Sequence, residues 1–95
     1  MNKKEILIKK LIKIKEYINI MQVSEIATKI YLKKYKEHLD TLIYNIQNDL
    51  MPNSNGALMG LVRGISDYEE LCKDDKLGDL ALEADMYYSN ECKQW

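Results

Sequence analysis

Phenylalanine is missing from this chain, and proline, histidine and tryptophan occur once each. One proline and four glycines in 95 residues are too few for an architecture of many short strands or for a disordered tail, both of which need frequent breaks. The two cysteines, Cys72 and Cys92, are too few for a multi-bridge disulfide scaffold and favour reduced thiols in a cytosol. The lone histidine, His38 in "KEHLD", supplies none of the Glu-x-x-His pairs of bundle metal sites, nor a zinc spacing with the two cysteines. No apolar run nears the ~20 residues that cross a bilayer. Lys9, Lys10, Lys13 and Lys15 break the N-terminal stretch and also stop it reading as a signal peptide. These absences predict a cytoplasmic chain with no membrane segment, no metal and no cofactor.

Catalytic motifs are missing too. The chain has no nucleophile elbow, phosphate loop or dinucleotide fingerprint, and a dyad of His38 with Cys72 or Cys92 has no local motif behind it. The expectation is a protein that is not an enzyme.

What is present is helical periodicity. Leu7, Leu11, Ile14, Ile18 and Met21 recur at spacings of three and four, which predicts an amphipathic helix over 3–21. A second stripe, Tyr31, Tyr35, Leu39, Leu42 and Ile46, predicts a helix over 24–50 with Ser24 as its N-cap. Pro52 in "MPNSNG" marks a loop at 51–56. Beyond it Leu58, Leu61, Val62, Ile65, Tyr68 and Cys72 keep helical period, with Ser54 or Asn55 as cap and a capping box at Ser66 and Glu69. A last helix, capped by Asp74 or Asp75, turns Leu77, Leu80, Ala81, Ala84, Tyr87 and Tyr88 one way. The whole reads as a single-domain, all-α antiparallel bundle of about four helices over 1–95: a long hairpin at 3–50, then two or three shorter helices at 56–92.

Two features within this plan invite a function. Gly56, Gly60 and Gly64 lie four residues apart, so on a helix they share one face and predict close approach of a neighbouring helix, with a kink at Gly64 as the alternative. Charge is polarised as well. Residues 1–50 hold ten lysines against six carboxylates, whereas residues 51–95 hold four bases against nine. Asp67, Glu70 and Asp74, then Asp75, Asp79 and Glu83, fall at helical spacings and predict solvent-facing acidic rows. Asp85, Tyr88 and Trp95 follow in "EADMYYSNECKQW", a cluster of aromatic and acidic residues suited to a basic protein surface, while Tyr87 is assigned to the core.

"ISDYEE" at 65–70 and "DMYYSNECKQW" at 85–95 resemble segments of the immunity proteins that neutralise DNase colicins, through Asp67, Tyr68, Asp85, Tyr87 and Tyr88. More broadly the chain resembles the small helical bacterial immunity proteins, including those paired with contact-dependent toxins. The resemblance implies a cytosolic inhibitor that occludes a toxin's basic active-site surface. Two other classes stay open. Lys29, Lys33, Lys34 and Lys36 could contact phosphates in a nucleic-acid-associated regulator, and the broad apolar girth of the first helix suits a dimeric, chaperone-like adaptor.

Overall fold

The first helix starts where Asn2 turns its side-chain oxygen onto the Glu5 N–H at 2.8 Å, satisfying one of the free donors of the first turn. In the computed structural model, which describes residues 2–95, this helix, α1, covers Lys3–Ile20 and buries Leu7, Leu11, Ile14 and Ile18. It is followed by α2 (Ile26–Gln47), the single turn α3 (Glu69–Cys72) and α4 (Asp75–Glu91). The fold is an all-α bundle, with no strand among the described residues.

Helix α1 is the central element, packed on one side by α2 and on the other by α4. Side-chain ties give the directions. Lys15 meets Asp40 and Lys36 meets Asn19 across the first contact, while Lys10 meets Glu83 and Tyr17 meets Asp74 across the second. Both flanking helices therefore run antiparallel to α1, and parallel to each other. A chain that leaves α2 at one end and enters α4 at the other has to travel back along the molecule, and residues 48–74 make that crossover.

Helix α2 stops three residues short of the expected position. Asp49 adopts φ +57°, Leu50 N–H bonds Asn45 O at 2.8 Å and Asp49 N–H bonds Ile46 O at 3.4 Å. This is the paired-bond ending that satisfies the last carbonyls of a helix. At its start the N-cap position is Glu25, not Ser24, and Glu25 makes no side-chain cap. The Glu70 carboxylate does the work instead, accepting from Ser24 N–H (2.7 Å), Ser24 Oγ (3.1 Å) and Glu25 N–H (2.8 Å).

The crossover departs most from expectation. Residues 56–64 are not helical, so Gly56, Gly60 and Gly64 share no helical face and admit no neighbouring helix. They hold φ of +88°, +83° and +86°, and a Cβ at Gly56 or Gly60 would meet nothing within 4 Å. Three glycines within nine residues forfeit roughly 3 kcal/mol of helix propensity, and the groove between α2 and α4 offers the backbone other partners. Ser54 and Asn55 cap no helix, and the Ser66–Glu69 box does not form, because Tyr68 is the N-cap residue of α3. Leu61 and Ile65 are nevertheless buried, Leu61 from irregular chain and Ile65 at the start of a single 3-10 turn, Ile65–Asp67.

Candidate protein-interaction surface

Most of the acidic and aromatic residues expected to face a partner are engaged within the fold. Asp85 is 1% exposed, and its two carboxylate oxygens accept from Met59 and Val62 N–H, each at 3.1 Å. It pins the crossover to α4. Tyr88 is 4% exposed, donates its hydroxyl to Pro52 O at 2.8 Å and meets Trp95 edge-on at 5.7 Å. Burial pushes its phenol pKa up. As a partner anchor Tyr88 is therefore corrected to a core residue, and Asp85 to a buried brace. Trp95 is half-buried over Tyr88 with the Lys4 ammonium 6.0 Å from its ring, so it closes one end of the bundle.

The row of Asp67, Glu70 and Asp74 breaks up, whereas Asp75, Asp79 and Glu83 are all exposed along α4 as expected. Glu70 braces the start of α2, and the Ser24 N–H, followed by that of Glu25, holds its carboxyl below the usual range. Asp74 caps α4 through Leu77 N–H at 3.0 Å and accepts the Tyr17 hydroxyl at 2.7 Å. That bond raises the Tyr17 pKa. Glu83 receives Lys10 Nζ at 2.7 Å, which lowers its pKa in turn. Asp67, Asp75 and Asp79 remain: each is exposed, and none forms an ion pair among the described residues.

Two of these three lie on an outer face of α4 whose acids the sequence marks but whose apolar members, Leu82 and Met86, it does not single out. Asp75, Asp79, Leu82 and Met86 recur at spacings of four, three and four, opposite the buried stripe of Leu77, Ala81, Ala84 and Tyr88. Leu82 is 48% and Met86 43% exposed. Asp85 and Ser89 hold the crossover against the same helix, and the crossover adds exposed Leu58 and Val62. The signal for this face is present in the sequence as a second helical stripe, masked by the many carboxylates of which only those left over after capping belong to it.

Between the crossover and the first turns of α4 lies a recess of about 220 Å³, with Val62, Ile65, Leu71 and Gly78 among its walls and Asp75 and Asp79 at its edge. A second surface runs along α2, where Ile26 (74% exposed), Ile30 and Tyr44 stand among Lys29, Lys33 and Lys34. Among the described residues no group of three His, Cys, Asp or Glu could hold a metal ion, and no helix is long and apolar enough to cross a membrane.

No protein-family model, curated protein or solved structure matches the chain.

Proposed function

We propose that this chain is a protein-binding inhibitor of the immunity type, acting in the cytoplasm by covering the basic active-site surface of a toxin. The observation that carries this reading is the outer face of α4, where Leu82 and Met86 are exposed beside carboxylates, Asp75 and Asp79, that form no ion pair among the described residues. An apolar centre gives a partner something to desolvate, while unpaired acids at its edge steer basic groups and raise the association rate. Asp74 and Asp85 contribute by capping α4 and bracing the crossover against it rather than by touching the partner, and Glu70 by bracing the start of α2. Inhibition would be steric and electrostatic, with no bond made or broken.

The test is retrieval of the partner from the native host after nuclease treatment, using the wild-type chain and an Asp75→Lys/Asp79→Lys variant as paired baits. The expected result is one basic protein, recovered stoichiometrically by the wild type, released as salt rises and lost with the variant. Its expression alone should slow growth, and co-expression of this chain should restore it. Recovery of nothing, or equal recovery by both baits, would remove the reading. A second reading rests on Ile26, Ile30 and Tyr44 along α2: a self-associating adaptor, marked by a dimeric mass in light scattering that an Ile26→Lys/Ile30→Lys variant reduces to a monomer.

A further inference from the structure

Gly78 is the one glycine of this chain that sits inside a helix, and neither a turn nor a close approach explains it. Its φ is not positive, and a Cβ built on it would meet nothing within 4 Å. Alanine would fit there and would favour α4. What the missing side chain does is leave open the recess between the crossover and α4. Part of its lining is apolar and already fixed, since Ile65 and Leu71 are buried core residues, while Ser66 and Asp74 line it as well.

Its edge is negative and unanswered. Asp75 and Asp79 are exposed and make no ion pair among the described residues. The lysines nearest in sequence are committed elsewhere: Lys73 pairs with Glu69 at 2.9 Å, and Lys76 lies 5.1 Å over the Tyr17 ring on the opposite side of α4. Arg63, next to Val62, does not line the recess. A recess lined by both apolar side chains and carboxylates matches a side chain with a hydrocarbon stem and a cationic head, because the stem packs on Val62, Ile65 and Leu71 while the head stays among acids and water.

We propose that the Gly78 recess receives one lysine or arginine side chain of the partner protein, its stem against Val62 and Ile65 and its charge between Asp75 and Asp79. This rests on the partner reading above and deepens it by naming the residue type at the centre of the contact. Exposed Cys72 also lines the recess, so it serves as a place for a reporter.

The probe is a short blocked peptide, acetyl-Gly-Lys-Gly-amide, titrated into the ¹⁵N-labelled chain, with the arginine peptide alongside and the norleucine peptide as the uncharged control. The expected result is saturable amide shifts confined to Val62, Gly78 and Asp79 with the two cationic peptides and no saturation with norleucine. Gly78→Leu should abolish the shifts while leaving the helical circular dichroism intact. Asp79→Asn, which leaves the recess open, should weaken binding about threefold to fivefold, the worth of one partly screened charge pair. Shifts spread evenly over Asp49, Asp67 and the other exposed acids, or shifts unchanged in Gly78→Leu, would overturn the proposal. Once a partner is in hand, a complex that tolerates Gly78→Leu at wild-type affinity would sink the recess while leaving the inhibitor reading standing. Peptide binding at Gly78 with no retrievable basic partner would do the opposite.

Discussion

A carboxylate taken out of water is costly unless hydrogen bonds replace its hydration, and Asp85 has two such bonds, from Met59 and Val62 N–H. Removing it leaves both donors without a partner beneath the crossover. Asp85→Ala should therefore lower unfolding stability by about 2–4 kcal/mol, the sum for two stranded amides, and Asp85→Asn by less because its amide oxygen still accepts one bond. Urea unfolding measures the loss, and amide exchange should speed up first at Met59 and Val62. An unchanged midpoint would show that the brace is dispensable. Glycines give the opposite contrast. Gly64 holds φ +86°, and a Cβ there would stand 3.0 Å from the Tyr31 hydroxyl oxygen, so Gly64→Ala should cost more than about 1 kcal/mol. Gly78→Ala should instead stabilise by roughly 0.5–1 kcal/mol. Thermal melts of the pair, shifting in opposite directions, would separate a glycine that the backbone requires from one that the fold does not. Residue type alone gave no access to this difference. Asp85 and Asp79 look alike as acids in "GDLALEAD", and only the helical wheel, which sets Asp85 at the edge of the Ala81, Ala84 and Tyr88 stripe, distinguishes a brace from a surface charge.

At the scale of elements, α2 depends on a carboxylate from another part of the chain. Glu70 accepts from Ser24 and Glu25 at the helix start, where negative charge also complements the helix dipole. Its pKa is held below the ordinary carboxyl value, and so is that of Glu83 through Lys10. A depressed native pKa means that the unfolded chain binds more protons. The stabilisation is thus present above about pH 4.5, the unfolded carboxyl range, and is lost as pH falls through the native value. Glu70→Gln should flatten the acid limb of a Tm-against-pH profile while leaving its alkaline limb in place. An acid limb identical to the wild type would assign the dependence elsewhere. The same element shows where the sequence was readable. Helices α1 and α2 follow from uninterrupted stripes of Ile, Leu and Tyr, because burial of one face is a local, periodic property. At the start of α2 the sequence points to Ser24, a good local cap, since nothing nearby in sequence announces a partner 46 residues away. The crossover departs from the periodic pattern for a related reason: Leu61 and Ile65 keep helical spacing and are buried, yet Leu61 lies in irregular chain and Ile65 opens only a single 3-10 turn, Ile65–Asp67, after Gly64 at positive φ.

For the molecule as a whole, the polarity of charge was legible in the sequence but its use was not, because three of the nine C-terminal acids, Glu70, Asp74 and Asp85, serve as caps and braces within the fold and two more, Glu69 and Glu83, pair with lysines. The crossover joins those parts, and tyrosines hold it from both sides. Tyr31 and Tyr35 of α2 donate to Arg63 O and Leu61 O, and Tyr88 of α4 donates to Pro52 O. Burial raises the pKa of all three above the ordinary phenol value. The sign is the reverse of the acid case: each phenol stabilises the fold fully below about pH 10, and the contribution fades as pH climbs through the raised native value. A tyrosinate cannot donate, so ionisation turns each of these bonds into an oxygen facing an oxygen. The three bonds lie along one segment, and losing them releases that segment as a unit while the α1–α2 hairpin keeps its own contacts. The prediction is an alkaline transition in two stages. A late component of tyrosinate absorbance, from Tyr31, Tyr35 and Tyr88, should carry with it loss of amide protection across 53–64 and a red shift of Trp95 emission as Tyr88 leaves its ring. Helical circular dichroism should fall only at higher pH. Tyr35→Phe removes one donor and keeps the ring, so it should weaken protection at 53–64 near neutral pH as well. Tyrosinate absorbance that grows at the ordinary phenol pKa, with emission and exchange unchanged, would show that the hydroxyls do not hold the crossover.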